Sequence, residues 1–357
     1  MGGCGHVGVR ISVLDTSPIV RGSTPRQALH NTVDLARLAD VLGYHRYWVP
    51  EHHGMRGVAS SAPAVLVGHL AGATKRLRVG AGGVLLPNHA PIVVAEQFGT
   101  LVALHPGRID LGLGRAPGGS RAAVEAVRPE AERGAKTFRE QFDELRAYLD
   151  PVEDARVKAI PVLGGNVPPI WLLGSSAGSA ELAGELGLPY AFAHHLNAGA
   201  AVEAMCVYRE RFRPSGHAAV PTSLVSVSVI AAEDDERAEW LAGPTRLKVL
   251  SRVRGERILL PSPEEAAAYS YTEEDRAEIA ARSGGVLVGG PATVAERLQA
   301  VLDGTGTDEL MITTPVYEHA DRRRSYELVA SIAGRLVGPA DETAGRRVGD
   351  SDHRDDA

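Results

Sequence analysis

The stretch Pro169-Ile170-Trp171-Leu172-Leu173-Gly174-Ser175-Ser176-Ala177-Gly178-Ser179, continuing as "AELAGELG" to Gly187, decides how the chain is read. An apolar run enters a turn of glycine and serine and leaves it directly as a helical pattern. Serine hydroxyls and free backbone N–H groups at a helix N-terminus make an anion site, helped by the helix dipole. The plainer reading is ordinary N-capping, which serine favours in any case. Three serines within about one turn tilt the balance towards a phosphate.

The same strand–turn–helix rhythm continues in both directions. Candidate strands are Val9–Leu14, Arg46–Val49, Leu77–Gly82, Arg108–Gly112, Ile170–Leu173, Tyr190–Ala193, Leu224–Ile230 and Glu309–Thr313. Amphipathic segments such as Pro25–Leu42, Pro91–Leu104, Ala135–Leu149, Ala177–Leu186 and Ala200–Phe212 lie between them. Eight strand–helix units without an abrupt composition shift predict an α/β protein with a single (β/α)8 TIM barrel over residues 7–336. A doubly wound sheet is the runner-up, but its Gly-rich fingerprint does not follow the first strand. Ser23-Thr24-Pro25 reads as an N-cap with an early helical proline, and Gly43 and Gly187 as C-terminal caps.

Two regions break the rhythm. Residues 151–169 show no clear period. Residues 243–289 form a long, charged excursion rich in Pro, Glu and Ser, which in a compact domain is usually a lid or a mobile insertion. The charged stretch 337–357 has almost no large apolar residue and is expected to be a disordered tail.

Composition excludes several function classes. At 44% hydrophobic, the 357-residue chain has ample material for a large core. Its 38 basic and 44 acidic residues give a net charge of −6, with no basic stretch suited to nucleic acid. Only Lys75, Lys136, Lys158 and Lys248 among the basic residues are lysines. Cys4 and Cys206 make neither a disulfide framework nor a metal cluster. The first ten residues lack a signal-peptide pattern, and no apolar run approaches the roughly 18 residues of a membrane helix. The expected setting is therefore cytoplasmic, away from membranes.

If the barrel holds, chemistry gathers where strands end. "YWVPEHHG" places Glu51, His52 and His53 at the second strand mouth. Adjacent residues there point to opposite sides, so the two histidines do not converge on one metal, and no metal is expected. A histidine near its ordinary pKa of ~6.5 suits proton transfer at neutral pH; a structural hydrogen-bonding role is the alternative. After the third strand, Gly80, Gly82 and Gly83 remove side chains where something flat approaches the backbone, or mark a bulge. Arg115 at the fourth mouth offers a guanidinium to a phosphate or carboxylate, or is a surface arginine. His194 and His195, after the sixth strand, line the pocket or cap a helix. Together these mouths suit a mononucleotide cofactor whose ring lies near His52.

Five blocks, in order, resemble the luciferase-like, flavin-dependent monooxygenase superfamily. They are "GYHRYWVPEHHGM", "VGAGGVLLPNHAPIVVAEQFGTL", "GRIDLGLGRAPG", "WLLGSSAGSAELAGELGLPYAFAHH" and "VGGPATVAERL" with "DELMITTPVYEHADRRRSYELVA". Within that superfamily the chain looks closest to oxygenases of bacterial polyketide pathways. The resemblance implies a barrel that uses reduced FMN, delivered by a separate flavin reductase, and O2 through a C4a-peroxyflavin. The product would be an oxygenated small organic molecule, by Baeyer–Villiger insertion, hydroxylation or epoxidation. His52 matches the catalytic histidine, with Glu51 and His53 in support. Gly82-Gly83 matches a non-prolyl cis peptide under the flavin, Arg115 the phosphate arginine, and Ser176 and Ser179, with Ser175 beside them, the phosphate hydroxyls. The excursion 243–289 falls where relatives carry a mobile loop, and a homodimer built on the early helices is implied. Gly114 stands where luciferase itself has a reactive cysteine, which argues against light emission. An F420-dependent hydride-transfer enzyme on the same barrel is one alternative, with Arg121 and Arg128 as candidates for its acidic tail. A non-catalytic flavin-binding protein is the other.

Overall fold

The structure, a computed structural model, describes residues 8–116, 118–282 and 284–338. Cys4 and most of the expected tail, from residue 339 on, lie outside the described residues.

The strands are β1 (Arg10–Leu14), β2 (Arg46–Val49), β3 (Arg78–Leu85), β4 (Ile109–Gly114), β5 (Ile170–Gly174), β6 (Tyr190–Phe192), β7 (Ser223–Ala231), β8 (Val286–Gly289) and β9 (Glu309–Thr313). Each pairs in parallel with its neighbour from β1 to β7, β7 pairs with β9, and β9 closes onto β1. Eight strands thus form the closed barrel that the eight sequence units predict. The ninth, β8, joins only the end of β7, from Ser228 to Ala231.

The helices are α1 (Pro25–Leu42), α2 (Pro63–Ala73), α3 (Pro91–Leu104), α4 (Arg121–Val127), α5 (Glu130–Arg133), α6 (Phe138–Leu149), α7 (Ala177–Leu186), α8 (Ala201–Arg211), α9 (Asp235–Val253), α10 (Pro263–Ala267), α11 (Glu273–Arg282), α12 (Pro291–Thr305) and α13 (His319–Ile332). Local chemistry sets their ends. Thr24 Oγ1 accepts from the Gln27 N–H while Pro25 occupies the first turn, and Gly43 stops α1 at φ 82°. The inner face of α1 buries Leu35, Ala36 and Ala39 against the sheet.

The excursion 243–289 carries the second half of α9, then α10, α11 and β8. A Gly-Pro pair ordinarily breaks a helix, yet α9 runs through Pro244 with Leu241, Ala242 and Leu250 buried on either side. The expected interruption at Gly243 is therefore absent from the backbone. Tertiary burial overrides the local breaker here.

Inside the barrel, two layers are visible. At the N-terminal end of the strands, Arg46 bridges Asp110 at 2.8 Å and Glu309 at 2.6 Å, and Arg78 joins Asp110. All three members of the Arg46 group are buried, and Ser12 Oγ donates to Glu309. Above them Trp48 and Trp171 meet edge to face at 5.5 Å, with the Arg46 guanidinium 4.7 Å from the Trp171 ring centre. Leu14, Ala191, Leu224 and Met311 complete this layer. The glycines of β3 now have a reason. A Cβ on Gly80 would stand 2.9 Å from Trp48 Nε1, and one on Gly82 2.9 Å from Trp48 Cε3. The flat group that approaches this backbone from within the barrel is the protein's own indole. The floor so formed leaves only the C-terminal mouth for a ligand.

Candidate active site

A cavity of about 320 Å³ opens at the C-terminal ends of the strands, where a (β/α)8 barrel places its chemistry. Glu51, His52, Gly82, Gly83, Arg115, Ser175, Ser176, Ser179 and His195 all line it. Residues from five separate strand ends thus converge on one place. One expected pocket residue does not reach it, and one expected supporting residue stands outside it. His53 turns away to the Glu51 carboxylate, and His194 is buried outside the lining, its Nδ1 without a partner among the described residues.

The β2 end explains why Glu-His-His adopts this split. The loop after β2 sends the His52 ring to the cavity, turns His53 back onto Glu51, and leaves Glu51 at the lining with its carboxylate clamped. Glu51 is 1% exposed and accepts from His53 Nε2 at 2.7 Å, His89 Nε2 at 2.9 Å and the Leu85 N–H at 3.0 Å. Burial opposes its charge, but these donors prevail and hold its carboxyl below the ordinary pKa. The His52 N–H donates to the Ser60 carbonyl at 3.0 Å, while its ring makes no hydrogen bond among the described residues. Burial pushes the His52 pKa down, against the pull of Glu51 and with the push of His53. His52 is therefore a neutral imidazole at neutral pH, with its ring free for a ligand.

Across the cavity, His195 Nδ1 lies 2.8 Å from Ser226 Oγ. Burial lowers its pKa to about 4, so it too is neutral. Leu14, Trp48, Leu173 and Met311 make the cavity floor apolar.

The β5–α7 turn carries the other chemical feature. Ser176 caps α7, and Ser179 Oγ lies 2.7 Å from the Ser176 carbonyl and 2.8 Å from the Tyr190 hydroxyl. Ser179 is fully buried and its hydroxyl is already engaged, whereas Ser176 is exposed. Arg115 has no carboxylate partner among the described residues, and its charge is felt at Tyr190. An anion at this mouth would meet Arg115, Ser175, Ser176 and the first N–H groups of α7. Arg128, by contrast, spends its guanidinium on the Pro87 and His89 carbonyls.

Gly82 and Gly83, joined by a cis peptide bond, present a wall without side chains between these features. Among the described residues, no group of three or more His, Cys, Asp or Glu is arranged to hold a metal ion.

His89 escaped the sequence reading. It sits 38 positions from Glu51, and only the parallel register of β2 on β3, Val49 beside Ala81, brings the two loops together. A lone histidine in a Pro-Asn-His turn carries no signal of that pairing.

The parallel barrel thus brings a bare glycine wall, a serine-rich helix N-terminus and the His52 ring to one mouth. The luciferase-like monooxygenase family matches residues 9–309, and the chain belongs to that family. It is 40% identical over 331 residues to a luciferase-like monooxygenase of Escherichia coli (strain K12), covering 92% of this chain and 98% of that one. The solved structure of apo-MsnO8 superposes with a TM-score of 0.83 at 37% identity, covering 93% of this chain and 99% of the other. The fold is shared as well with the oxygenating constituent of 3,6-diketocamphane monooxygenase from Pseudomonas putida, a type II Baeyer–Villiger enzyme solved with FMN. That match has a TM-score of 0.71 at 21% identity, over 94% and 100% of the two chains. No helix among the described residues is long and apolar enough to cross a membrane.

Proposed function

We propose that this chain binds reduced FMN from a separate flavin reductase and uses O2 to oxygenate a small organic substrate. A polyketide-type intermediate is the favoured substrate class, oxidised by Baeyer–Villiger insertion or by hydroxylation or epoxidation. A cytoplasmic homodimer is part of the same reading. The observation that carries it is the His52 ring, without a hydrogen-bond partner among the described residues, in one cavity with Gly82, Gly83, Arg115, Ser175 and Ser176.

The residues present fit the cofactor. Arg115, Ser175, Ser176 and the α7 N-terminus would hold its phosphate. Gly82 and Gly83 present backbone alone to the cavity, and the FMN held by the camphane enzyme of the same fold supports that choice. Reduced FMN supplies the electrons that activate O2. The protein's part is to exclude water with its apolar floor and to move a proton. His52 has a free ring nitrogen for this, accepting a proton from the substrate side or returning one. Glu51, clamped by His53 and His89, fixes the loop from which His52 projects.

The engagement of Arg128 with backbone carbonyls leaves fewer cations for the acidic tail of F420, which favours FMN. The test is to titrate the purified protein with FMN and a reductase, and separately with F420, following fluorescence and oxygen consumption. Tight binding of reduced FMN, with oxygen consumption coupled to an added substrate, is the expected result. Binding of F420 alone would replace the oxygenase by a hydride-transfer enzyme.

A further inference from the structure

Strands β2 and β6 stand opposite each other in the closed ring of eight, four positions apart in either direction. The imidazoles that follow them, His52 and His195, line the same cavity, and a charge on His52 opposes one on His195. Gly82 and Gly83 lie beside His52 on the next strand, and the cradle of Arg115, Ser175 and Ser176 follows at β4 and β5. Away from that cradle the lining is mostly apolar, with Leu14, Trp48, Leu224 and Met311 at its base.

His195 is held twice by Ser226 of β7. Its backbone N–H donates to the Ser226 carbonyl at 3.0 Å, and its Nδ1 lies 2.8 Å from Ser226 Oγ and 3.3 Å from the same carbonyl. These partners decide which ring nitrogen carries the proton. A carbonyl oxygen can only accept, and the Ser226 hydroxyl donates its own proton to the Phe192 carbonyl at 3.2 Å. Nδ1 is therefore the N–H donor, and in the neutral ring Nε2 is a bare lone pair. Burial keeps the ring neutral, with its pKa at about 4. Separated from Nδ1 by Cε1, Nε2 makes no hydrogen bond among the described residues and is not sealed off by them.

We propose that His195 determines specificity by accepting, at Nε2, a hydrogen bond from the substrate. The substrate then carries a neutral hydroxyl or amide N–H on the side of its apolar body that faces β6, across from His52. An anion is disfavoured at this position, since a lone pair offers it no donor. A cation would find no free carboxylate, because Glu51 is occupied by His53, His89 and the Leu85 N–H. A neutral donor entering an apolar cavity loses its water and needs an acceptor. Nε2, already fixed in direction by Ser226, supplies one with little further ordering. This deepens the oxygenase reading and rests on it for the identity of the cavity as the substrate site. Reduced FMN has ring N–H groups of its own, so cofactor and substrate must be measured separately.

The probes are matched donors and their methylated counterparts: 2-naphthol with 2-methoxynaphthalene, 4-phenylbutan-1-ol with its methyl ether, and N-benzylacetamide with its N-methyl derivative. Their affinities for the full chain are measured by calorimetry at neutral pH, with and without FMN. At least one donor is expected to outbind its counterpart about fivefold or more, the scale of a neutral hydrogen bond in exchange with water. In His195→Phe, which keeps a planar ring without nitrogens, that ratio falls to within about twofold, while FMN affinity stays within about twofold of the parent. A thermal midpoint within a few degrees of the parent shows that the variant is folded. Nitrogen NMR of histidine-labelled protein, with the His195 signals assigned by their loss in the variant, reads the tautomer without any ligand; Nδ1 protonated and Nε2 bare are expected. The inference is overturned if Nε2 carries the proton, if no donor outbinds its counterpart, or if the preference survives in His195→Phe. It is overturned too if the variant loses FMN as strongly as it loses the donor, which would give the acceptor to the flavin ring. Failure of the oxygenase reading would look different: FMN would not bind, while the donor preference would still be measured in flavin-free protein.

Discussion

Both carboxylate oxygens of Glu51 lie 2.9 Å from His89 Nε2, and Oε1 also lies 2.7 Å from His53 Nε2. One buried acid thus ties the end of β2 to the loop after β3, on either side of the residue that faces the cavity. Glu51→Gln would replace an all-acceptor group by one whose amide N–H groups confront imidazole donors. A loss of about 1–3 kcal/mol is expected, read as a fall of a few degrees in the thermal midpoint at pH 7. The folded carboxyl is held below its unfolded pKa. Its contribution is therefore present above that unfolded value, near 4.5, and is lost as pH falls through the folded one. The gap between parent and variant should close under acid conditions; a gap that stays constant to pH 3 would separate Glu51 from this clamp.

His52→Ala tests the proton-transfer role. The ring makes no hydrogen bond to the described protein, so its removal should leave the fold and flavin affinity in place. Product formation should fall at least ~100-fold, within the range of general acid–base groups. The comparison to make is flavin titration beside product yield; equal loss in both would mean that the histidine holds the cofactor instead.

Much of this was legible in the sequence because each strand mouth carries its own local signal. The apolar run into Gly174-Ser175-Ser176 and the Thr24-Pro25 and Gly187 caps write their geometry into neighbouring residues, and the helices α1, α3 and α7 begin and end where the pattern places them. What stayed hidden depends on residues far apart in the chain. His89 is catalytically mute until the β2–β3 register sets it on Glu51. The Arg46, Asp110 and Glu309 group joins positions separated by up to 263 residues. Strand β8 is four residues long and follows a stretch of mostly charged and small residues, and α9 continues through a proline because its flanks are buried. His194 shows the converse: residue type suggested a place at the cavity, and the lining does not include it.

Arg115→Ala addresses the anion cradle. With no acid partner of its own among the described residues, the guanidinium is free for a phosphate. Its loss should weaken FMN binding by about 10- to 100-fold, the value of a charge-assisted hydrogen bond. Riboflavin, which lacks the phosphate, should bind parent and variant alike. Equal weakening of both ligands in fluorescence titrations would place Arg115 at the ring or ribityl chain.

Gly80→Ala examines the barrel floor. The added methyl would stand 2.6 Å from the Asp110 carbonyl oxygen and 2.9 Å from Trp48 Nε1. Backbone on one side and a buried indole on the other leave it nowhere to go. Overpacking of this kind costs about 1–3 kcal/mol, and the indole's hydrogen bond to Asp110 would be strained with it. The measurable outcome is a lower urea midpoint together with a change in tryptophan fluorescence; an unaltered midpoint would show that the floor is looser than its contacts imply.

His195 gives the protein a second pH dependence, opposite in origin to that of Glu51. Burial holds its folded pKa at about 4, while the unfolded chain takes up the proton near 6.5. Between those values the unfolded state binds more protons, so stability is full above pH ~6.5 and falls as pH drops towards 4. The cavity edge admits some water to the ring, so roughly 1–3 kcal/mol is expected from this one site. His52 and His194, also lowered by burial, act in the same direction. His195→Asn keeps a polar group opposite Ser226 and removes the titration. Urea midpoints at pH 7.5, 6, 5 and 4.5 should fall more steeply for the parent than for the variant, with a residual slope from the two remaining histidines. Parallel curves would mean that His195 takes its proton equally well folded and unfolded, and that the cavity at its position is wet.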